Sequence, residues 1–219
     1  MTQSGALGRG ALFLSVLAGV SYVASWNLGL APALEIAWKG AGVALLAVYA
    51  GLRARTLDGW LIALVMALGA LGDVLLDAAG LVVGALAFLA GHLVAIGLYL
   101  RNRRPRLTLT QKALAGVLPP ATALIAAGLI GDPKMIPGVV VYALGVSLMA
   151  ACAWTSRFPR LRTGLGAVMF TASDLLIFAR GGPLAGAAWI GLAIWGLYYA
   201  GQLMICLGVT DTLSAARRA

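Results

Sequence analysis

The sequence predicts an all-α polytopic membrane protein, built as a bundle of eight transmembrane helices. Of its 219 residues, 62% are hydrophobic and only 11% are charged, whereas a soluble domain carries about 25% charged residues. Eight apolar runs are each long enough to cross about 30 Å of hydrocarbon at about 1.5 Å per residue. Because these runs are continuously apolar and do not alternate like the strands of an outer-membrane barrel, we expect helices.

The eight runs follow one another through short loops, so residues 1–219 are predicted to form a single transmembrane domain. The first run, preceded by Arg9, faintly resembles a signal peptide. It has no clear small-x-small cleavage site and is long enough to span, so we interpret it as a helix. The predicted helices are residues 10–30, 34–52, 58–77, 81–101, 112–130, 136–155, 162–180 and 187–208.

The basic residues are distributed unevenly between the predicted loops. With the amino terminus inside, 13 of the 16 Lys and Arg residues fall on the cytoplasmic side, whereas Lys134 and Arg180 lie outside and Lys39 lies within the second helix. This positive-inside pattern predicts a multi-pass protein of the cell (inner) membrane with both termini in the cytoplasm. The net charge of +9 then reflects topology and contact with anionic membrane lipids, and we predict no nucleic-acid partner. The thirteen are Arg9, Arg53, Arg55, Arg101, Arg103, Arg104, Arg106, Lys112, Arg157, Arg160, Arg162, Arg217 and Arg218.

A short internal sequence similarity indicates two sets of four helices. Gly72-Asp73-Val74-Leu75-Leu76 in the third helix is similar to Ser173-Asp174-Leu175-Leu176-Ile177 in the seventh. An even number of crossings separates the two helices, so both run from inside to outside. Two parallel four-helix repeats are therefore compatible with the sequence.

Small residues are expected to bring the helices close together, and the cysteines are not expected to pair. Cys152 and Cys206 both fall toward the cytoplasmic ends of their helices, which does not indicate a structural disulfide. Glycines permit close helix contact in membranes. The glycines predicted to do so here are Gly40, Gly42, Gly69, Gly72, Gly191 and Gly196.

Polar side chains within the predicted spans are the candidate functional residues. A charge at bilayer depth costs about 2.5–3.5 kcal/mol on insertion scales, so such residues usually face the bundle interior. Counted from the helix midpoints, Asp73, Lys39 and Asp174 lie about 8, 6 and 4–5 Å toward the outer side, which places two carboxylates and a cation in one layer. The full set is Asn27, Lys39, Asp73, His92, Asp174, Tyr198 and Gln202, with Asp77 at a helix end.

Each of these residues also has a structural interpretation. Lys39 can snorkel to the outer interface, His92 can hydrogen-bond between helices, and Asp77 can simply end its helix near water. Asp73 and Asp174 can form a structural salt bridge with Lys39. The aromatic residues Trp195 and Tyr198 can serve in packing or in the interfacial belt.

The available residue types restrict the chemistry. One histidine and two separated cysteines do not make a zinc site of the usual composition, so we predict no metal and no cofactor. There is no GxSxG nucleophile elbow, and Ser173 has no histidine beside it in the sequence. What remains is a carboxylate pair, Asp73 with Asp174. In one partly desolvated site, one carboxyl would hold a proton and the other would stay ionised, which supplies a general acid and a general base.

Intramembrane aspartyl proteases also use two aspartates on neighbouring helices. Their usual signature is YD on one helix, GxGD on another and a later PAL. Here Ala70 occupies the position of the first Gly before Asp73, Asp174 follows Ser173 in place of Tyr, and no PAL occurs. These departures argue against a protease.

Five short boxes, in order and at suitable spacing over about residues 35 to 208, resemble the YhhN-like lysoplasmalogenases. Members of that family look like eight-helix membrane proteins with a Lys, a GD box, a His, an SD box and a Tyr-Tyr-x-x-Gln pattern. One departure is Gly40, where the family often has Pro after the Lys. The boxes in this chain are Trp38-Lys39-Gly40, Leu71-Gly72-Asp73-Val74-Leu75-Leu76, Ala90-Gly91-His92-Leu93, Ala172-Ser173-Asp174-Leu175-Leu176 and Tyr198-Tyr199-Ala200-Gly201-Gln202-Leu203.

The resemblance implies hydrolysis of the vinyl-ether bond of lysoplasmalogens, a class of lysophospholipid, with release of a fatty aldehyde and a glycerophospho-ethanolamine or -choline. It implies Asp73 and Asp174 as the catalytic pair. Lys39 can meet the substrate phosphate as a point charge. The remaining predicted substrate-binding residues are His92, Ser173, Tyr198, Tyr199, Gln202 and Asn27.

Two functions of other classes use similar residues. A proton-coupled lipid or small-molecule transporter would also place Asp, Lys and His within the membrane, but it needs two accessible states, of which a single layer of charges gives no sign. A binding or structural membrane protein would need no paired acids. Aldehyde release that is lost in Asp73→Asn would separate the enzyme from both. The sequence predicts no particular oligomeric state.

Overall fold

The computed structural model describes residues 3–216 of the chain. Arg217 and Arg218, which the charge analysis counted on the cytoplasmic side, lie outside the described residues. Eight of the described helices are long and apolar enough to cross a membrane, and the prediction of an all-α polytopic membrane protein is confirmed. They are α1 (Gln3–Ser25), α2 (Pro32–Arg53), α3 (Leu57–Ala78), α4 (Leu81–Arg101), α5 (Leu109–Leu129), α6 (Ile136–Thr155), α7 (Leu165–Arg180, preceded by a π-helical turn, Arg160–Gly164) and α8 (Ile190–Ala215).

The bounds of α4 and α6 coincide with the predicted ones, and the largest differences are at α1 and α8. Helix α1 ends at Ser25 and not at residue 30, because the following turn contains Gly29 with a φ of 59°, a left-handed conformation that glycine adopts readily. Helix α8 continues seven residues beyond the predicted end at residue 208, to Ala215. The Arg53 guanidinium donates to Asp211 and Ser214 in this extension, so tertiary hydrogen bonds stabilise turns that apolar length does not predict.

The described helices cluster into two compact units, and we describe each by itself. The first unit comprises the chain up to Leu98 together with the segment from Val209, and the second comprises Tyr99–Gly208. The single domain and the four-helix repeat both stay predictions.

In the first unit, close approaches join α1 to α2, α2 to α3 and α3 to α4. The Ser15 hydroxyl of α1 donates to the Gly42 carbonyl oxygen of α2 at 2.6 Å. A Cβ at Gly40 would lie 2.7 Å from the Val74 side chain, and a Cβ at Gly72 would lie 2.8 Å from the Phe88 ring. Gly40 and Gly72 therefore permit the close helix contacts that the sequence predicted, and they do so beside Asp73.

In the second unit, α7 and α8 cross at two glycines. A Cβ at Gly201 would lie 2.6 Å from the Gly166 carbonyl oxygen, and a Cβ at Gly166 would lie 2.7 Å from the Gly201 carbonyl oxygen. The predicted role of Gly196 in close contact is wrong, because a Cβ there would meet nothing within 4 Å. Gly196 lies on an exposed face of α8, and the face of the same helix that meets α7 carries Gly201.

The ends of α4 and α6 are tied together in the second unit. The Arg157 amide donates to the Asn102 carbonyl oxygen at 2.7 Å, and its Nε donates to the Asn102 side-chain oxygen at 2.6 Å. Arg104 Nε donates to the Ser156 carbonyl oxygen at 2.8 Å. Gln111 completes a capping box at the start of α5 and also donates to the Trp154 carbonyl oxygen at 3.0 Å. These bonds fix the carboxyl end of α6, the helix that contacts Asp174.

Candidate active site

Asp73 is buried in α3, where its residue is 2% exposed. The preceding residue, Gly72, allows α4 to approach through Phe88, so close helix packing removes this carboxyl from lipid and from bulk solvent. The Tyr22 hydroxyl of α1 is close enough to the Asp73 and Asp77 carboxyls to interact with them electrostatically. The prediction that Asp73 faces the interior of a helix bundle is consistent with this burial.

Lys39 forms an ion pair with Asp77. The ammonium nitrogen of Lys39 lies 2.8 Å from Asp77 Oδ2, and the two side chains are 12% and 39% exposed. Asp77 lies one residue before the end of α3, as the sequence predicted, but its pairing with Lys39 was not predicted. The structural alternative considered above paired Lys39 with Asp73 or Asp174, whereas the ion-pair partner found is Asp77.

His92 and Asn27 have opposite environments in the first unit. His92 is 4% exposed in α4, which agrees with its expected position inside the bundle. Asn27 lies in the exposed turn after α1, so its predicted position within the first transmembrane span is wrong. The reason is the early end of α1 at Ser25.

Asp174 lies in α7 of the second unit and is 6% exposed. Its Oδ2 accepts a hydrogen bond of 2.7 Å from the Tyr142 hydroxyl of α6. The neighbouring Ser173 is 1% exposed, and its hydroxyl donates to the Ile194 carbonyl oxygen of α8 at 2.9 Å. Helix α7 therefore presents its carboxyl to α6 and its serine hydroxyl to α8.

Aromatic rings from α7 and α8 pack against the two tyrosines of the Tyr-Tyr-x-x-Gln pattern. Tyr198 and Tyr199 are 5% and 6% exposed, and the Trp195 ring stacks on Tyr199 with centroids 5.9 Å apart. The Phe170 ring of α7 meets Tyr198 edge-on at 5.1 Å. Gln202 is 3% exposed, and its Nε2 donates to the Tyr198 hydroxyl at 3.4 Å. All the polar groups of this pattern are thus buried.

The predicted site residues fall into two sets, one in each unit. The first unit contains Lys39, Asp73 and His92, and the second contains Asp174 with Ser173, Tyr198, Tyr199 and Gln202. The pairing of Asp73 with Asp174 and the substrate-binding roles stay predictions. Within the part of the chain that the structure describes, no three His, Cys, Asp or Glu side chains lie together as a metal site requires, so we identify no residues that could hold a metal.

Sequence reasoning missed Tyr142 as a contact of Asp174. The available signal was a single tyrosine in an otherwise aliphatic stretch of α6, Val139-Val140-Val141-Tyr142-Ala143. A buried carboxyl needs hydrogen-bond donors, and a search for lone hydroxyls on the other helices would have identified this residue as a candidate.

The eight apolar helices and the buried carboxyls define the class, a multi-pass membrane protein with acidic groups inside its helical units. The YhhN family model matches residues 34–209, and the chain belongs to the YhhN family. Two curated lysoplasmalogenases, from Mycobacterium bovis and Mycobacterium tuberculosis, are each 32% identical over 129 residues, which cover 56% of this chain and 48% of each relative. The aligned segment thus spans about half the length of these relatives. No solved structure matches the chain.

Proposed function

We propose that this protein hydrolyses the vinyl-ether bond of lysoplasmalogens and releases a fatty aldehyde and a glycerophospho-ethanolamine or -choline. The observation that carries the proposal is its similarity to two proteins named lysoplasmalogenase. The family match includes every candidate site residue except Asn27. The protein would then be an ether hydrolase. The distribution of basic residues further indicates that it lies in the inner cell membrane with both termini in the cytoplasm.

The burial of two carboxyl groups supports the proposed chemistry. Asp73 and Asp174 are 2% and 6% exposed, and buried polar groups within membrane spans are usually functional. A vinyl ether is cleaved by proton transfer to carbon, which needs a general acid, and by addition of water, which a general base assists. The proposed assignment of both aspartates to one reaction rests on the sequence and on this burial.

The proposed reaction begins with proton transfer from one aspartic acid to the vinyl carbon β to the ether oxygen. The double bond becomes a C–H bond and an oxocarbenium ion, which the second carboxylate stabilises, as in glycoside hydrolysis. That carboxylate takes a proton from water as the water oxygen bonds to the cationic carbon. The resulting hemiacetal then gives its hydroxyl proton to the first aspartate, while the second aspartic acid protonates the departing glycerol oxygen. Both aspartates return to their starting states, and the net reaction consumes one water.

The amphiphilic substrate suits a site within the membrane. The alkenyl chain can lie among apolar helices while the phosphate stays near the interface. Lys39, paired with Asp77, is the proposed phosphate ligand, since an ammonium can move from a carboxylate to a phosphate as a point charge. His92, Ser173, Tyr198, Tyr199 and Gln202 are proposed to orient the ether oxygen or the water, whereas Asn27 lies in an exposed turn and is not part of this proposal.

The decisive experiment measures aldehyde release by the purified, reconstituted protein from alkenyl, alkyl and acyl lysolipids with the same headgroup. We expect turnover of the alkenyl lipid only, because neither analogue gives a stabilised cation on protonation. In heavy water, turnover should show a normal isotope effect, and the aldehyde should carry deuterium on the carbon beside its carbonyl. Deuterium must be measured promptly, since aldehydes exchange at that position.

Mutation of the aspartates tests their joint role. Asp73→Asn and Asp174→Asn should each abolish most turnover, and the double mutant should be little worse than either, as for residues that act as a unit. Asp132→Asn is the matched control, because Asp132 is exposed in the loop before α6. Rapid hydrolysis of the acyl lysolipid, or losses that multiply in the double mutant, would contradict the mechanism. Transport of an intact lipid without aldehyde release would favour the transporter.

A further inference from the structure

The Tyr142–Asp174 hydrogen bond differs from the hydroxyl contacts that Ser147 and Thr155 make within α6. Ser147 and Thr155 of α6 donate to the carbonyl oxygens of Ala143 and Ala151, four residues earlier in their own helix. Serine and threonine commonly satisfy themselves in this way within helices. The Tyr142 hydroxyl instead leaves its helix and meets a carboxyl on α7 at 2.7 Å. That distance is typical of a good O–H···O hydrogen bond.

The Tyr142 ring is held by apolar packing on the same face of α7. It meets the Phe178 ring edge-on, with centroids 6.2 Å apart and an interplanar angle of 89°. Phe178 lies one turn after Asp174. The ring also packs against a buried cluster of Ala126, Val139, Ala143 and Phe178, which joins α5, α6 and α7. Since a tyrosine side chain has only two side-chain torsions to order, this packing fixes the position of its hydroxyl.

The hydrogen bond distinguishes the two oxygens of the Asp174 carboxyl. Oδ2 is occupied by the Tyr142 hydroxyl, whereas Oδ1 has no hydrogen-bond partner among the described residues 3–216. When one oxygen of a carboxyl is held by a hydrogen bond, the direction in which the other oxygen points is fixed as well. Positioning of a reacting group within about 1 Å can change a rate by about a hundredfold.

We propose that Tyr142 is a positioning residue that holds Asp174 through Oδ2 and directs Oδ1 to the reacting lipid or water. The inference rests on the proposed hydrolysis and deepens it, because it assigns the two oxygens of one carboxyl different tasks. Tyr142 itself takes no proton from the substrate. It acts through Asp174, so its effect on turnover depends on that carboxyl.

The test compares Tyr142→Phe with Tyr99→Phe in the full-length, reconstituted protein. Both variants remove one hydroxyl from a tyrosine of the second unit. Tyr99 is the matched control because its hydroxyl is buried and has no hydrogen-bond partner among the described residues. The Phe ring keeps the packing against Phe178, so Tyr142→Phe is expected to fold. Thermal melting of each variant verifies this.

We expect Tyr142→Phe to lower kcat by about 10- to 100-fold and to change KM less than about twofold, since the loss concerns orientation of a reacting group. Tyr99→Phe should retain the parental kcat. In an Asp174→Asn background, Tyr142→Phe should have no further effect on the residual rate. A purely structural role would instead lower kcat in proportion to the folded fraction and would act equally in both backgrounds.

Three results separate the possible failures. If the parent releases no aldehyde from the alkenyl lysolipid, the proposed function fails. If the parent is active and Tyr142→Phe turns over as fast as Tyr99→Phe, the inference about Tyr142 is wrong while the function stands. If Tyr142→Phe does not fold, Tyr142→His takes its place, because histidine retains a ring and a hydrogen-bond donor. The infrared band of the Asp174 carboxyl, assigned from the difference between the parental and Asp174→Asn spectra, is then compared between Tyr142→His and the parent. A shifted band together with a lowered kcat supports positioning. A shifted band with a parental kcat, or a parental band with a lowered kcat, overturns it.

Discussion

Gly201→Ala tests whether the close crossing of α7 and α8 holds the second unit together. A Cβ at Gly201 would lie 2.6 Å from the Gly166 carbonyl oxygen and 3.3 Å from the Phe170 amide nitrogen. Ordinary contact begins at 3.4 Å, so the two helices must separate by the difference of 0.8 Å or distort locally. Both nearby atoms belong to the backbone and cannot move aside alone. Overpacking of this kind costs about 1–3 kcal/mol.

Gly196→Ala is the matched control on the same helix. Both substitutions gain the helix propensity of Ala over Gly, about 1 kcal/mol, but a Cβ at Gly196 meets nothing within 4 Å. The difference between the two variants therefore isolates the cost of the crossing. For a protein of this length, a difference of about 2 kcal/mol corresponds to a Tm difference of about 4–8 °C.

The assay is thermal unfolding of both purified variants in one detergent, followed by aldehyde release. We expect Gly196→Ala to melt at or slightly above the parental temperature. Gly201→Ala should melt below it and turn over more slowly, since α7 carries Asp174. Equal melting temperatures for the two variants would refute the reasoning, because the backbone approach would then cost nothing to disturb.

Two further predictions concern polar contacts. The Lys39–Asp77 pair is partly exposed, with side chains 12% and 39% exposed, so its loss should cost only about 0–1 kcal/mol of stability. Asp77→Asn should free the Lys39 ammonium for the substrate phosphate and lower KM by up to about fivefold, the equivalent of 1 kcal/mol. Lys39→Met should instead raise KM with kcat retained. Loss of kcat in either variant would show that the ion pair takes part in the chemistry. Gln111→Ala should lower the free energy of unfolding by about 1–3 kcal/mol, because it removes the Gln111 side-chain half of the capping box and leaves the Trp154 carbonyl oxygen without this donor. A melt equal to the parent's would contradict that estimate.

The number of helices, most of their bounds and the burial of the key aspartates could be predicted from the sequence. Apolar length is a local property, and the cost of a charge in hydrocarbon applies to each residue separately. These two rules suffice to place Asp73 and Asp174 inside helical units, where both are at least 94% buried. They also predict α4 and α6 to the residue.

Only the tertiary structure decided which polar groups meet. Lys39 pairs with Asp77 at a separation of 38 residues, and Asp174 accepts from Tyr142 at a separation of 32. The rotation of each helix about its axis determines these contacts, and that rotation depends on packing between helices, not on the sequence of one. The same cause explains why Gly201 lies in a helix crossing while Gly196, five residues earlier on α8, faces open space. Apolar pattern marks a helix as membrane-spanning without showing which of its sides a neighbouring helix will cover.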